Sequence, residues 1–291
     1  LLPLKSGREI ELRGGSSDVG SGNRGITVTD RHGDTVELRW RDLDRIDFRA
    51  PPGDDLPPGV GRRLHGTLET RDAGRYTGYV AWDADEILTT DVLDGDEDGR
   101  DREIPFGEIA AIERDGPSGA RVVLRSGEEV RLTGSNDVDG SNRGISVADP
   151  ALGQVTVGWD EFESLTFSEP ERSLGYDAFD GGAPLHGTVV DEEETAWSGR
   201  VRWDNDESHS WELLNGDYRG AEFEVELSTV SWIRRRSSRV AEVFLRDGRV
   251  LELEGSNDVD RRNKGIFVIP EGGGAVAVPW EEFRELRLRR D

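Results

Sequence analysis

The sequence predicts an all-β protein, a tandem array of five small five-stranded barrels of two alternating types. Three observations predict this fold class: an apolar signature that occurs five times, two longer motifs that each recur, and small hairpin turns between alternating apolar residues. The hydrophobic content, 34% of 291 residues, fits several thin cores better than one large core.

Each copy of the apolar signature predicts a strand, a tight turn and a second strand. The signature has four apolar residues, which are separated by one, two and two other residues in turn. The first step has the period of a strand, the next is one helical turn, and the last residue opens another strand. With a hairpin and a third strand before it, each copy completes a five-stranded module. The copies are Leu38-Trp40-Leu43-Ile46, Ile104-Phe106-Ile109-Ile112, Val157-Trp159-Phe162-Leu165, Val225-Leu227-Val230-Ile233 and Val278-Trp280-Phe283-Leu286.

Two longer motifs distinguish the module types. One type carries Gly-Ser-Asn-Asp-Val followed by Asn-Arg/Lys-Gly-Ile and is called SNDV-type here; its first copy is the variant Gly15-Ser16-Ser17-Asp18-Val19. The other opens with Leu-His-Gly-Thr, continues to Trp-Asp-x-Asp-Glu, and is called LHGT-type. The predicted domains are SNDV-type at 1–48, LHGT-type at 64–114, SNDV-type at 120–167, LHGT-type at 185–235 and SNDV-type at 239–288.

The linkers predict how the modules are grouped. Stretches rich in Pro and Gly, 50–61 and 169–184, precede each LHGT-type module, whereas the join to the following SNDV-type module is short. This spacing predicts tightly coupled LHGT–SNDV pairs with looser joints between them. The first SNDV-type module then lacks its partner. Since residue 1 is Leu and the chain has no Met, we expect a fragment or a processed form.

The strand–turn–strand pattern of the five modules resembles the SH3-like and Sm-like small barrels. The paired WDxDE and SNDV/NRGI motifs are also similar to repeats of bacterial envelope proteins. That second resemblance implies an envelope or extracellular location. The composition leaves an alternative, the cytoplasm of a salt-accumulating organism, because acidic residues are abundant and Lys5 and Lys264 are the only lysines.

Charge and composition narrow the classes of partner. A net charge of -24 repels phosphate backbones and anionic membranes, so we expect no nucleic-acid binding despite the Sm-like resemblance. The absence of Cys excludes disulfides, thiol catalysis and thiolate metal sites. No apolar run reaches transmembrane length, so no membrane insertion is expected.

The SNDV-type loops are candidates for a calcium site. Their carboxylate and amide oxygens are the ligand type that Ca²⁺ prefers, but no copy has the closing glutamate of a calcium-binding helix–loop–helix. The alternative, which we favour, is that Asp and Asn side chains hold the turns while glycine takes positive φ. The candidate ligands are Asp137, Asp139, Asn142, Asp258, Asp260 and Asn263.

The WDxDE acids form a second candidate site. Paired carboxylates can transfer protons or bind a divalent cation, and the motif occurs twice. It falls at a predicted hairpin tip, where solvent should leave the carboxyl pKa values ordinary, and its tryptophan is expected in the core. The acids are Asp83, Asp85 and Glu86 in the first copy and Asp204, Asp206 and Glu207 in the second.

Aromatic residues that differ between copies are the candidates for partner binding. Trp211 replaces Thr90 and Trp232 replaces Ala111, and strand alternation should turn Trp232 outward. Exposed tryptophans can stack on sugars or contact a protein. The alternative, which we favour, is packing between modules or against the 169–184 linker. The candidates are Tyr76, Trp197, Trp211 and Trp232.

The sequence therefore predicts a non-catalytic binding or scaffold protein, because the modules repeat and no nucleophile elbow, P-loop or dinucleotide motif is present. Its expected partners are proteins, carbohydrates or a second copy, with an apolar patch around Leu1, Leu2 and Trp40 as the surface for self-association. The alternatives are a metal-assisted hydrolase that uses the acidic tips and a calcium-dependent carbohydrate-binding protein.

Overall fold

A computed structural model describes residues 1–3, 9–11, 19–23, 25–30, 34–49, 61–171 and 182–289. The chain divides into two units, Leu1–Arg62 with Glu171–Gly181, and Arg63–Pro170 with Gly182–Asp291. In the first unit β1 (Leu2–Pro3) pairs with β2 (Glu9–Ile10), and β3 (Ile26–Thr29) pairs with β4 (Thr35–Leu38). The predicted tight turn follows β4 as a 3₁₀ turn at Trp40–Asp42. Asp18, of the first SNDV stretch, and the 50–60 linker lie outside the described residues.

The second unit contains the other twenty strands, in two repeats of ten. The first repeat comprises β5 (His65–Thr70), β6 (Arg75–Ala81), β7 (Val92–Glu97), β8 (Arg100–Pro105), β9 (Ile109–Arg114), β10 (Gly119–Leu124), β11 (Glu129–Thr133), β12 (Ile145–Asp149), β13 (Gly153–Val157) and β14 (Phe162–Phe167). The second comprises β15 (His186–Asp191), β16 (Ala196–Arg202), β17 (Leu213–Tyr218), β18 (Ala221–Glu226), β19 (Val230–Arg235), β20 (Val240–Leu245), β21 (Val250–Glu254), β22 (Ile266–Ile269), β23 (Val276–Val278) and β24 (Phe283–Leu288).

These twenty strands form one antiparallel sheet, which confirms the all-β class. Their pairing follows a single path from β8 at one end to β23 at the other. In the described part of the chain β8 pairs with β7 alone and β23 with β22 alone, so the sheet does not close into a barrel. The path is β8-β7-β11-β10-β9-β14-β5-β6-β12-β13-β18-β17-β21-β20-β19-β24-β15-β16-β22-β23.

The array of five separate barrels is not confirmed, because the strands of each LHGT–SNDV pair interleave. In the first repeat β14, the last strand of the SNDV-type module, lies between β5 and β9 of the LHGT-type module. One half contains the second hairpin and the last strand of the LHGT-type module together with the first hairpin of the SNDV-type module. The other half contains the second hairpin and the last strand of the SNDV-type module together with the first hairpin of the LHGT-type module. The halves are β9-β10-β11-β7-β8 and β14-β5-β6-β12-β13.

The two repeats are joined by β13 and β18, which pair over five residues from Gly153↔Val225 to Val157↔Ala221. The rings of Tyr76 and Phe223 meet edge to face across this joint, with centroids 5.6 Å apart. The looser joint expected at the 169–184 linker is therefore wrong, because β13 before the linker and β18 after it are hydrogen-bonded to each other.

The four apolar signatures of the second unit supply its core, as predicted, whereas in the first copy Leu38, Trp40 and Leu43 are half-buried and Ile46 is exposed. Phe106 and Phe162 are fully buried and pack with Trp82, and Phe283 occupies the place of Phe162 in the second repeat. The predicted tight turns are 3₁₀ turns at Phe106–Glu108 and Leu227–Thr229. A helix with the length and apolar character needed to cross a bilayer does not occur among the described residues.

Candidate functional site

The WDxDE motif is a tight turn after β6, in which Trp82 and Glu86 form an antiparallel bridge and Ala84 and Asp85 are exposed. Trp82 and Asp83 are fully buried, and the indole Nε1 of Trp82 donates a 3.0 Å hydrogen bond to the carbonyl of Asp137. Asp83 and Ala84 both adopt positive φ, 44° and 71°. Non-glycine residues adopt this conformation only when their surroundings hold them there. The turn therefore depends on contacts made by the SNDV-type module.

Asp83 provides most of those contacts. Its Oδ2 accepts hydrogen bonds from Arg143 Nη2 at 2.7 Å, from Arg143 Nε at 3.0 Å and from Asn136 Nδ2. Its Oδ1 accepts from the backbone N–H of Arg143. A buried carboxylate is stable only when its charge and its lone pairs are matched, and Asp83 meets both conditions. We call Asp83, Asn136, Asp137, Asn142 and Arg143 the polar cluster.

The SNDV residues of the cluster satisfy backbone groups. Asp137 Oδ2 accepts from the backbone N–H of Asp94 at 2.8 Å, and Asn142 Oδ1 accepts from that of Gly144 at 3.0 Å. Asp139 Oδ1 accepts from Ser141 N at 2.7 Å. These contacts support the turn-holding interpretation of the Asp and Asn side chains.

The second repeat contains the same cluster with one exchange. Asp204 is fully buried and accepts from Asn257 Nδ2 and from the backbone N–H of Lys264, which replaces Arg143. Trp203 Nε1 donates to the carbonyl of Asp258 at 2.9 Å. The other predicted ligands hold turns here too, since Asp258 accepts from Asn215 N, Asn263 from Gly265 N, and Asp260 from Arg262.

The carboxylates that the structure brings together are not the predicted calcium ligands. Asp83, Asp85 and Glu86 each place one oxygen within 4.8 Å of the others. Asp83 and Asp85 both bind Arg143, however, so a cation at this place would compete with a guanidinium. The geometry suits an internal ion pair.

Glu86 and Glu207 differ from the other acids. Within the described residues the Oε2 atom of each is buried and has no hydrogen-bond partner. Burial, with Asp85 and Asp137 nearby, raises the pKa of Glu86 to about 8. Burial and Asp258 raise the pKa of Glu207 to about 8 as well. The expectation of ordinary pKa values is therefore wrong for these two, because the motif folds into a turn against a second module.

The aromatic candidates occupy four different environments. Tyr76 is buried at the joint between the repeats, where its hydroxyl donates to the carbonyl of Ala73 at 2.6 Å. Trp197 occupies the same place in the second repeat and is half-buried against the core. Trp211 lies so close to Gly182 that a Cβ there would come within 2.8 Å of its Cδ1. Packing thus explains the aromatic residue at Tyr76, and Trp211 lies against Gly182 at the end of the 169–184 linker.

Trp232 forms a separate surface with three other residues. Its ring stacks on Phe244 with centroids 4.1 Å apart and planes 17° apart. The guanidinium carbons of Arg234 and Arg287 each lie 5.0 Å from the centroid of the Trp232 ring. Trp232 Nε1 is buried and has no acceptor within the described residues. We call Trp232, Arg234, Phe244 and Arg287 the aromatic–arginine face.

This face is specific to the second repeat. Trp232 on β19 is separated from Trp197 on β16 by β24 and β15, so the structure does not bring these two candidates together. Phe244 and Arg287 were missed by the sequence reasoning, although comparing the copies 121 residues apart would have identified both. The first repeat has Ala111, Glu113, Val123 and Thr166 at the four positions of the face.

Comparisons with protein-family models, with curated proteins and with solved structures found no match to this chain.

Proposed function

We propose that this protein is a non-catalytic scaffold that binds a partner protein through the aromatic–arginine face. The observation that carries the proposal is the difference between two repeats of matching internal structure. Asp83 and Asp204 have the same buried role, whereas Ala111 on the outer surface is replaced by Trp232. The buried carboxylate and its asparagine partner are kept in both repeats, so the aromatic residue that is gained at the surface points to binding.

The composition of the face favours a protein partner over a carbohydrate. Tryptophan and arginine dominate the binding energy of protein interfaces. Sugar stacking needs a free tryptophan ring face, whereas here Phe244 stacks on the ring and Arg234 and Arg287 lie near it.

The finer architecture belongs to this proposal. Each half of a repeat, such as β14-β5-β6-β12-β13, is proposed to be a small SH3-like or Sm-like unit whose first hairpin comes from the neighbouring module. The resemblance to envelope repeats supports an envelope or extracellular location. Nucleic acid is not a proposed partner: Arg234, Arg235 and Arg236 are each paired with a glutamate.

A selection experiment with matched variants tests the proposed function. A phage-displayed peptide library and a glycan array would be screened against the wild-type chain, Trp232→Ala and the control Leu213→Ala, which alters an exposed apolar residue on β17. We expect peptide ligands that the control retains and Trp232→Ala loses. Ligands that bind all three chains equally, or glycans alone, would contradict a protein-binding face.

A metal-dependent role, as a hydrolase or a calcium-dependent binder, is the second candidate. The observation in its favour is the unpartnered Oε2 of Glu86 beside Asp83 and Asp85. Titration of Ca²⁺ or Mn²⁺ into the wild-type chain and into the double variant Glu86→Gln, Glu207→Gln tests it. Heat of binding that the double variant abolishes would favour this candidate over the scaffold.

A further inference from the structure

The joint between the repeats shows how one edge of the sheet is covered. At β13 Val155 is fully buried, and Tyr76 packs against Phe223 of β18. Gly153, at φ 132°, lies so close to β18 that a Cβ there would come within 2.1 Å of the Glu224 carbonyl oxygen. The glycine is required at this place because another strand approaches it.

The matching edge at the far end of the sheet is β23. Val276 corresponds to Val155 and is half-buried, Trp197 corresponds to Tyr76, and Gly274 corresponds to Gly153. A Cβ at Gly274 would meet no atom within 4 Å. The second repeat therefore retains the small residue and the valines of the joint, but Gly273 replaces the buried Leu152. The described part of the chain provides no strand to cover these positions.

The two ends of the sheet differ in charge. Residues 272–278 contain no charged side chain, in a chain of which 34% is charged. At the other end β8 begins Arg100-Asp101-Arg102-Glu103, and Arg102 forms ion pairs with Glu97 and Glu128. Charged edges resist pairing with another strand, and uncharged apolar edges favour it. Arg102 stands where β18 has Phe223, so β8 of a second copy is a poor match for β23.

We propose that the edge of β23 is a strand-binding site, which takes an extended segment of another protein in the antiparallel register that β18 has on β13. The segment would have apolar residues at alternate positions, as β18 has at Ala221, Phe223 and Val225. The middle residue of the three would be aromatic, like Phe223, and would face Trp197. Backbone hydrogen bonds would provide affinity, and the aromatic contact would provide selectivity. This site is separate from the aromatic–arginine face.

The β17–β18 hairpin of the chain itself is a suitable probe. A labelled synthetic peptide of residues 213–226 would be titrated into the full chain in about 0.5 M NaCl, which screens repulsion between acidic molecules. The test variant is Gly274→Val, which places a branched side chain at the position that corresponds to Gly153, where the Glu224 carbonyl approaches in the internal joint. The control is Gly158→Val, at a second glycine where a Cβ would meet no atom within 4 Å and which lies away from the edge.

We expect the wild-type chain, Gly158→Val and Trp232→Ala to bind the peptide alike. Gly274→Val should bind at least about tenfold more weakly, and so should the wild-type chain with a peptide carrying Phe223→Ser. Trp197→Ser provides a second variant that removes the aromatic contact without changing the backbone. Trp232→Ala is expected to leave this binding unchanged. The proposal of a strand-binding site and the proposal of a protein-binding face can therefore be refuted independently.

Equal binding by Gly274→Val and wild type, or no binding by the wild type, would overturn the proposal. Sedimentation of the wild-type chain and Gly274→Val provides a further test. A wild-type dimer that Gly274→Val converts to monomer, without peptide binding, would show that a second copy occupies the edge and would refute the assigned partner.

Discussion

At the residue scale, Asp83 and Asp204 illustrate how a motif that suggests acid–base chemistry can serve the fold. Each is fully buried in a turn of positive φ, and each accepts hydrogen bonds from the asparagine and the cationic residue of the neighbouring module. The sequence showed that these carboxylates recur. It could not show that their partners lie about fifty to sixty residues away, because hydrogen bonds across modules leave no periodic pattern.

Asp83→Asn is expected to lower the free energy of unfolding by about 2–4 kcal/mol, since an amide N–H would face the donors of Arg143 and the buried charge that pairs with this guanidinium would be lost. The control is Asp85→Asn, at a side chain that is 61% exposed and should contribute less than about 1 kcal/mol. Urea unfolding of both variants measures the difference. Equal losses at the two positions would argue against a structural role for the buried carboxylate.

The raised pKa values of Glu86 and Glu207 predict an unusual pH dependence of the free energy of unfolding. The folded chain raises their pKa from 4.5 to about 8, so it holds protons that the unfolded chain releases between these values. Their contribution to stability is therefore complete below about pH 4.5 and is lost as the pH rises through about 8. Replacing both by Gln should stabilise the chain by about 1 kcal/mol at pH 9, a figure reduced for partial exposure, and by little at pH 5.

Unfolding at pH 5, 7 and 9 checks that difference. The exposed Glu108→Gln serves as the control and should show no such trend. A constant difference between wild type and the double variant across this range would mean that both carboxyls titrate alike in the folded and unfolded chain.

At the element scale, local order was predictable and strand partners were not. The signature Ile104-Phe106-Ile109-Ile112 predicted β8, a helical turn and β9, and all three are present. The position of β14 between β5 and β9 was not predictable, because an apolar alternation fixes which face of a strand is buried but leaves its neighbour open. Interleaved modules and separate barrels therefore have the same sequence pattern.

Gly153→Ala tests the joint formed by β13 and β18. A Cβ would clash with the Glu224 carbonyl oxygen and would strain a residue at φ 132°, which should cost about 3 kcal/mol. We expect two separate thermal transitions, because the repeats would no longer unfold together. Gly274→Ala, at the matching position with open space around it, should remain within about 0.5 kcal/mol of wild type. A single unshifted transition for Gly153→Ala would contradict the importance of this joint.

At the scale of the whole molecule, the continuous sheet is combined with a large excess of negative charge. The second unit places two repeats on one hydrogen-bonded path, so acidic residues from many strands are held at fixed positions. Many of the arginines are engaged: Arg121, Arg131 and Arg249, for example, form ion pairs with acidic neighbours. Exposed pairs of this kind contribute about 0–1 kcal/mol each, so long-range repulsion among the remaining acids dominates the electrostatic response.

Added salt should therefore raise the stability of this protein, and the size of the increase should depend on pH. The 61 acidic residues exceed the 37 basic ones, and added KCl screens their repulsion over about 10 Å at 0.1 M and about 3 Å at 1 M. We expect the unfolding midpoint at pH 7 to rise steadily over this range of KCl. At a pH near the pI of 4.6 the net charge is close to zero, so the same titration should have much less effect. A midpoint that falls with KCl at pH 7 would mean that the ion pairs outweigh the net charge, and the surface arginines would then be structural elements in their own right.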